Sequence, residues 1–406
     1  MFNELKKKKI RGWCFFDFAI SSYPTLIITF FYGAFYANKI AKTPEIGTSN
    51  WGFSVSIASI LSFLLFSVIL IQGRLLVSKL KIRFFRVFFY ILCLSTSILY
   101  FFDQGINELI PLIFVVISLI SFEVINFFYN LSLHKIVERN KEGLISNLGW
   151  AFGYFGGLCS LVIIWLLLQM THDNDYRIFD ISVFLLIGPF VALWTIIFGA
   201  QHFKNFSKES FNIPKLNDFF QNLKIKSIKG FFFSYFFFNN AVICIFAFAS
   251  MFAAFLFGLS EKEILILGVF INLSGIIGCI FLGNLEDKIG SEITVLICII
   301  GLLVMTLILF FLDSYLFFWI ISLMIGFFIG PIQAASRSVM VKSFKQNNQL
   351  SAFCTYSMFG NICAILGPFL VGLIIEIFDD IRSGLLVIPA FFLISLIPFA
   401  AKKINV

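Results

Sequence analysis

Long apolar stretches alternate with short polar, charged ones along the whole chain. A helix needs about 20 apolar residues to cross the hydrocarbon core of a bilayer. Twelve stretches meet that need: 11–37, 51–73, 84–102, 109–133, 144–170, 179–200, 229–257, 263–283, 292–311, 315–341, 351–377 and 382–401. Charges fall almost entirely between them. The pattern predicts an all-α integral membrane protein with twelve transmembrane helices in two pseudo-symmetric six-helix halves. The longest polar interval, 201–230, splits the chain into an N-terminal bundle (1–200) and a C-terminal bundle (231–406). Pro214 and the basic residues there suit a linker carrying a surface amphipathic helix. The first stretch is too long for a signal-peptide core and lacks a small-residue cleavage site, so it reads as a span.

Lysine and arginine placement sets orientation. With the N-terminus in the cytoplasm, cytoplasmic segments hold 25 of the 30 basic residues. Only Lys39, Lys42, Arg177, Lys262 and Arg382 fall outside. One missed helix would scramble this split. Both termini are therefore expected in the cytoplasm, most simply across a bacterial-type inner (plasma) membrane, with the basic loops near anionic headgroups.

Composition sharpens this picture. Hydrophobic residues make up 60% and charged residues 13%, about half the charged share of a soluble domain. Mean hydropathy is +0.97. A soluble enzyme, a disordered chain and a nucleic-acid-binding domain are excluded, and the +8 net charge belongs to loops flanking the membrane. The 58 phenylalanines lie mostly in apolar runs, so no single one is read as functional. All eight cysteines sit in apolar stretches without a C-x-x-C and read as small helix residues. His134, His172 and His202 lie in loops without ligand spacing, so no metal and no cofactor is expected.

The halves repeat weakly. Asn126, Asn130, Lys135 and Gly153 stand opposite Gln333, Arg337, Lys342 and Gly360 at a constant offset of 207. Related halves are what a rocking carrier needs.

Of 22 acidic residues, eight fall in cytoplasmic segments and twelve outside. Two remain within spans, Asp17 and Glu123. An acid at bilayer depth costs several kcal/mol, at order of magnitude, unless it meets water or a partner. Asp17 lies only about 9 Å beyond Arg11, and Glu123 roughly 16 Å from His134, near mid-membrane. Glu123, Asn126 and Asn130 share one helical face. Asp17, Ser21, Thr25, Tyr32 and Tyr36 form a second stripe, which Pro24 bends. Such stripes imply a wet path or a bound polar ligand, with a structural hydrogen-bonded acid as the alternative. A low-dielectric site favours a neutral carboxyl, which makes Glu123 a candidate for proton coupling. Asn239, Asn240, Asn272, Gln333, Ser357 and Asn361 are polar interior groups of the second half, and Arg337 lies near the inner end of its span. Either a solute or interhelical hydrogen bonding explains them. Gly149, Gly153, Gly156 and Gly157 allow close helix approach. Gly330-Pro331 and Gly367-Pro368 are expected to interrupt their helices.

Residues 283–290, Gly283-Asn-Leu-Glu-Asp287-Lys288-Ile-Gly290, resemble the major facilitator loop signature G-x-L-x-D-[RK]-x-G between helices 8 and 9. The resemblance implies the major facilitator fold and a gating latch at Gly283, Asp287, Lys288 and Gly290, together with Arg337. The first-half copy near Gly73 lacks the Asp. WCFFDFAISSYPTLIITFF (13–31), FYNLSLHKI (128–136), ISNLGWAFGYFGG (145–157), FFFNNAV (236–242), GPIQAASRS (330–338) and YSMFGNICAILGP (356–368) are similar to the vacuole-effluxer-like branch, related to autophagy proteins of amino-acid efflux. That resemblance covers most of the chain. It implies a cavity lined mainly by helices 1, 4, 7 and 10, and matches at Asp17, Ser21 and Tyr23. The chain departs from the branch at Ile20, at Asn240 (usually Asp) and at Asn361 (usually Lys). Loss of a charged pair at the last two positions would avoid stranding either charge, so Asn240 and Asn361 are expected to be neighbours.

The leading expectation is a non-enzymatic, monomeric secondary active transporter of a small polar solute, an amino acid or similar metabolite. It would work by alternating access, coupled to protons or another ion. No G-x-x-x-x-G-K-[ST] is present to bind ATP. Substrate and coupling candidates are Asp17, Ser21, Tyr23, Thr25, Glu123, Asn126, Asn130, Asn239, Asn240, Gln333 and Asn361. Alternatives are an exporter of amphipathic compounds or lipids, and a non-transporting receptor or scaffold on the same fold.

Overall fold

A computed structural model describes residues 5, 7–71, 77–103, 105, 107–133, 136, 142–170, 177–178, 181–202, 216–344 and 349–401. His134, Lys135, His172, Gly73 and most of the linker lie outside the described residues, so the expectations placed on them do too.

The apolar stretches fold as helices: α1 (Lys8–Ile20), α2 (Pro44–Ile71), α3 (Val77–Ile98), α4 (Leu109–Leu133), α5 (Glu142–Gln169), α6 (Val183–Gly199), α7 (Lys226–Phe257), α8 (Glu261–Ile289), α9 (Ser291–Phe311), α10 (Tyr315–Ser343), α11 (Gln349–Phe378) and α12 (Ile381–Ala400). Ten of them are long and apolar enough to cross a bilayer. The first span is bent by 42° between Lys8–Ile20 and Pro24–Phe30, and α6 has only 17 residues. The sixth segment was expected from residue 179. A two-residue hairpin, β1 (Arg177–Ile178) paired antiparallel with β2 (Ile181–Ser182), takes up its start. The Ser182 side chain then caps α6 by accepting from Phe184 N at 3.3 Å.

Two further boundaries differ from the expectation. Pro331 and Pro368 sit inside continuous helices, so Gly330-Pro331 and Gly367-Pro368 do not break α10 or α11. Neighbouring groups re-satisfy backbone freed by proline in a membrane helix. The residues read as a loop at 283–290 continue α8 to Ile289, and only Gly290, at φ 95°, separates it from α9. Beyond Pro24 the first span is π-helical over Pro24–Phe30 and Tyr36–Ile40. The wider turn of a π-helix destroys the 3.6-residue register, so Tyr32 and Tyr36 leave the Asp17 stripe. They pack on Trp51 of α2, with ring centroids 6.4 and 6.0 Å away.

Side chains such as Leu64, Phe281, Phe311 and Leu393 are exposed on the outer faces, as a lipid-facing surface requires. Inside, α5 packs along α8 and α2 along α11, joining early helices to late ones. Lipid tails give no hydrophobic drive for helix association, so contact rests on close packing of small residues. The glycine stripe of α5 does this for α1. A Cβ at Gly156 would collide with the Phe18 carbonyl, and one at Gly153 would lie 2.8 Å from Ser21 Oγ. Gly278 plays the same part for α8 against the Phe327 carbonyl.

Gly156→Val is expected to cost about 1–3 kcal/mol or more, read as a lower thermal midpoint in detergent. Ile197→Val, at a position 55% exposed on the lipid side, should leave the midpoint nearly unchanged. Equal midpoints for the two variants would contradict the packing account.

Candidate functional site

α1, α2, α4 and α5 meet α7, α8, α10 and α11 around a cavity of about 320 Å³, within the range of small-molecule sites. Its wall includes Asp17, Ser21, Thr25, Glu123, Asn126, Asn130, Asn239, Gln333, Arg337 and Asn361, together with Asn272 and Ser357. Most of the sequence-derived candidates therefore converge on one space. The face formed by Glu123, Asn126 and Asn130 turns into it intact. Both intramembrane acids keep part of their surface accessible, and that surface opens on the cavity.

Two candidates are placed elsewhere. Tyr23 is fully buried with its hydroxyl 2.7 Å from Ser118 Oγ on α4, bracing the first span where it bends. Asn240 is also fully buried. Its Nδ2 donates to Phe236 O at 2.7 Å, and its Oδ1 accepts from Gly367 N at 2.6 Å. Asn240 thus fixes α7 to α11 at the Gly367-Pro368 step. Asn361 lies six residues earlier on α11, about 9 Å along the axis, and among the described residues no hydrogen bond joins the two asparagines. The expected Asn240–Asn361 pair is not formed.

At one end of the cavity, Tyr129 OH donates to Asp17 Oδ2 at 2.9 Å and Ser21 Oγ donates to Oδ1 at 3.3 Å. Gly153 leaves room for both side chains of α1. Arg337 of α10 is 4% exposed. Its Nη1 donates to Asn130 Oδ1 at 3.2 Å and its Nη2 to Ser146 O at 2.9 Å. Its guanidinium carbon stands 5.7 Å from the ring centroids of Trp13 and of Trp150, contacts worth about 0.5–2 kcal/mol each. The positive field of Arg337 acts on Asp17, yet among the described residues no ion pair within 4 Å joins them. Among the described residues, the Nε–H of Arg337 has no partner.

Further along α4, six residues or about 9 Å from Tyr129, Glu123 interacts with the Asn361 side chain of α11. Asn361 Nδ2 donates to Ser357 O at 3.0 Å, while Asn361 Oδ1 and Ser357 Oγ are buried atoms with no hydrogen-bond partner among the described residues. Asn239 and Gln333 pair across α7 and α10, Gln333 Nε2 donating to Asn239 Oδ1 at 2.8 Å. Aromatic rings of Phe122, Trp150, Tyr154, Tyr235, Phe246 and Tyr356 make up much of the remaining wall.

A second polar cluster lies where α8 ends and α9 begins, against the start of α5 and the end of α10. Glu286 was assigned to a loop, which left two acids in the interior. The structure adds it as a third buried acid, fully enclosed. It accepts from Asn147 Nδ2 at 2.9 Å and from Ser291 Oγ at 2.7 Å, and it interacts with Ser338 and Lys342. Lys342 Nζ donates to the same Ser291 Oγ at 2.9 Å. Gly283 makes space for Asn147, because a Cβ there would lie 2.8 Å from the Asn147 Cβ. Asp287 and Lys288 are exposed, with Asp287 Oδ1 beside Gly143 of α5. Among the residues of the signature, the buried bond to α5 is therefore made by Glu286. Gly275, Cys279, Leu282 and Glu286 follow a helical period of 3 to 4, a signal that was available in the sequence once the helix was extended past residue 283. Trp13, Tyr129 and Trp150 were also missed, since aromatic residues are too common in this chain to single out.

Comparison with known proteins agrees with this architecture. The family profile described as Major Facilitator Superfamily matches residues 142–368 and 231–404. The chain is 22% identical over 408 residues to an uncharacterized MFS-type transporter, YxiO, of Bacillus subtilis (strain 168), covering 97% of this chain and 94% of that protein. Among solved structures it resembles the nucleoside transporter NupG (TM-score 0.68, 12% identity, 97% of this chain and 99% of the other). It also resembles a bacterial homologue of the iron transporter ferroportin in an outward-facing state (TM-score 0.65, 12% identity, 97% and 98%). At these identities the likeness is one of fold.

Removing a partner from a buried polar network costs about 1–3 kcal/mol per stranded group. Glu286→Ala strands the Asn147 amide and the Ser291 hydroxyl, so its thermal midpoint should fall well below that of Lys288→Ala, an exposed change. A Glu286→Ala protein as stable as Lys288→Ala would refute the buried network.

Proposed function

The chain belongs to the Major Facilitator Superfamily, a family of membrane transporters of small solutes, and from that premise we propose a secondary active carrier for a small polar solute, an amino acid or similar metabolite. The observation that carries this reading is a solute-sized space, lined from both ends of the chain, in which two carboxyl groups have, among the described residues, no basic side chain within 4 Å. The proposed carrier works by alternating access. Its units, 1–200 and 231–406, rock about the cavity and are joined by the 201–230 linker. Both termini face the cytoplasm of a bacterial-type inner membrane, and the unit is a monomer. The motifs shared with the vacuole-effluxer-like branch support the amino-acid assignment. So does the wall chemistry: carboxylates for an ammonium group, and the unpartnered Nε–H of Arg337 for a carboxylate.

Coupling is assigned to the proton, with Glu123 as the group that carries it. Asp17 already accepts from Tyr129 and Ser21 and feels Arg337. Glu123 is answered by the Asn361 amide and, among the described residues, by no basic side chain within 4 Å, so its charge is the less well compensated and the more readily neutralised. The gate is placed at Gly283, Asp287, Lys288, Gly290 and Arg337, with Glu286 as its buried bond. Arg337 ties α10 to Asn130 and to the backbone of α5, and these contacts must part when that end opens.

A second reading, export of amphipathic compounds, is favoured by one specific feature. Much of the cavity wall is aromatic and apolar, so an apolar body accompanying the polar group would be accommodated.

Liposomes containing the purified protein, given a panel of labelled amino acids and other metabolites with and without an imposed pH gradient, test the proposal. The expected result is accumulation driven by the gradient, and Glu123→Gln should exchange solute without responding to pH. Unchanged proton-driven transport in Glu123→Gln would remove Glu123 from coupling. No movement of any solute would remove the carrier reading.

A further inference from the structure

The wall of the central cavity changes character along its length. Toward the end of the bundle where the chain begins it is polar, and toward the opposite end it is apolar. Along α4 the lining passes from Leu119 to Asn126, along α7 from Ile245 back to Asn239, and along α10 from Ile325 to Gln333. A solute that fits such a wall has two unlike ends.

At the apolar end a side pocket of about 60 Å³ opens inside the C-terminal bundle, between α7, α8, α9, α10 and α12. Cavity and pocket adjoin along Phe30, Ile245, Ala249, Ile271 and Ile325, which line both. Beyond them the pocket is walled by side chains such as Ala253, Leu267, Leu309 and Ile388. Phe30 ends the π-helical turn that begins at Pro24. Gly268 of α8 leaves room for its ring at the mouth, since a Cβ there would lie 3.0 Å from the ring.

The lining selects the occupant. An enclosed water needs about 2–4 polar partners. Thr306 Oγ1 is turned back to Leu302 O at 2.8 Å. Of the buried side-chain polar atoms in this wall, Ser250 Oγ alone lacks a hydrogen-bond partner among the described residues. An apolar hollow of about 150 Å³ takes up benzene. This pocket has less than half that space, so it suits a slender chain and rejects a ring.

We propose that the solute is a small head-and-tail molecule. Its hydrogen-bonding head lies at the polar end of the cavity. Its tail, an unbranched alkyl chain of a few carbons, passes Phe30 and Ile325 into the side pocket. The inference rests on the carrier reading and names the substrate class for that cavity. Each methylene that enters the pocket should tighten binding about fourfold, and a branched end of equal carbon count gains nothing there.

Straight and branched isomers test the tail while the head is held constant. The purified protein would be titrated calorimetrically in a sterol-based detergent, which brings no alkyl chain of its own. Three pairs serve as probes: hexanoate and 3,3-dimethylbutanoate, hexylamine and 3,3-dimethylbutylamine, norleucine and tert-leucine. Their heads are anionic, cationic and zwitterionic, so the pair that binds identifies the head. Within that pair the straight isomer should bind about tenfold tighter or more, the effect of two buried methylenes. Ala253→Leu, which fills the pocket, should erase the preference. Leu267→Ala, which enlarges it, should raise the branched isomer to nearly the affinity of the straight one. Thermal midpoints near that of the unmodified protein establish that the variants fold. If Ala253→Leu fails to fold, Leu267→Ala decides.

Equal binding of straight and branched isomers in every pair, or no binding of any probe at millimolar concentration, would overturn the proposal. So would a preference that survives Ala253→Leu, or a Leu267→Ala protein that still rejects the branched isomer. Transport into liposomes of a solute without an alkyl chain, unaltered by Ala253→Leu, would overturn it while leaving the carrier reading standing. Straight-chain binding without movement of any solute across liposomes would remove the carrier reading and leave the pocket.

Discussion

A polar group buried in a bundle surrounded by lipid has nowhere to go except another protein group or enclosed water, because the hydrocarbon offers no hydrogen bonds. That constraint organises this molecule. Among the described residues three acids lie inside it, Asp17, Glu123 and Glu286, and each is answered differently. Glu286 is enclosed and held by donors from three helices. Asp17 accepts from Tyr129 and Ser21 within the field of Arg337. Glu123 has the least, a single amide whose own oxygen lacks a donor. The descending order of satisfaction separates a structural group from a functional one, since a site able to accept a ligand must keep some capacity unfilled.

The two ends of the chain are held together by different physics in different places. Along α5–α8 and α2–α11 the contact is steric, with glycines letting backbones approach. Where α10 and the end of α8 meet α4 and the start of α5 the contact is polar. Arg337 lies against the rings of Trp13 and Trp150, bonded to Asn130 and Ser146, and Glu286 holds Asn147. Asn130 and Arg337 occupy equivalent positions at the 207-residue offset and bond to each other across the centre. Polar contacts of this type are directional and break over a small displacement, whereas packed glycine faces can slide. A carrier that rocks requires both kinds of contact.

The sequence alone determined much of this. Hydrophobic runs fixed a membrane-embedded all-helical chain, because only a helix satisfies its backbone within a single lipid-spanning segment. The 3- and 4-residue spacing of Glu123, Asn126 and Asn130 put them on one face, and the cost of burying acids directed attention to Asp17 and Glu123. These inferences depend on local periodicity and on solvation, both of which are properties of a short stretch of chain. Only the tertiary structure decided what each polar residue meets. Tyr23 and Asn240 carry the same side-chain chemistry as residues in the cavity, but rotation of their helices gave them to Ser118 and Gly367. The π-helical turn after Pro24 took Tyr32 and Tyr36 out of the stripe, and continuation of α8 past Gly283 turned Glu286 inward. Helix rotation and the placement of a partner 100 or 200 residues away depend on the packing of all the other helices, and no spacing rule within one segment encodes that.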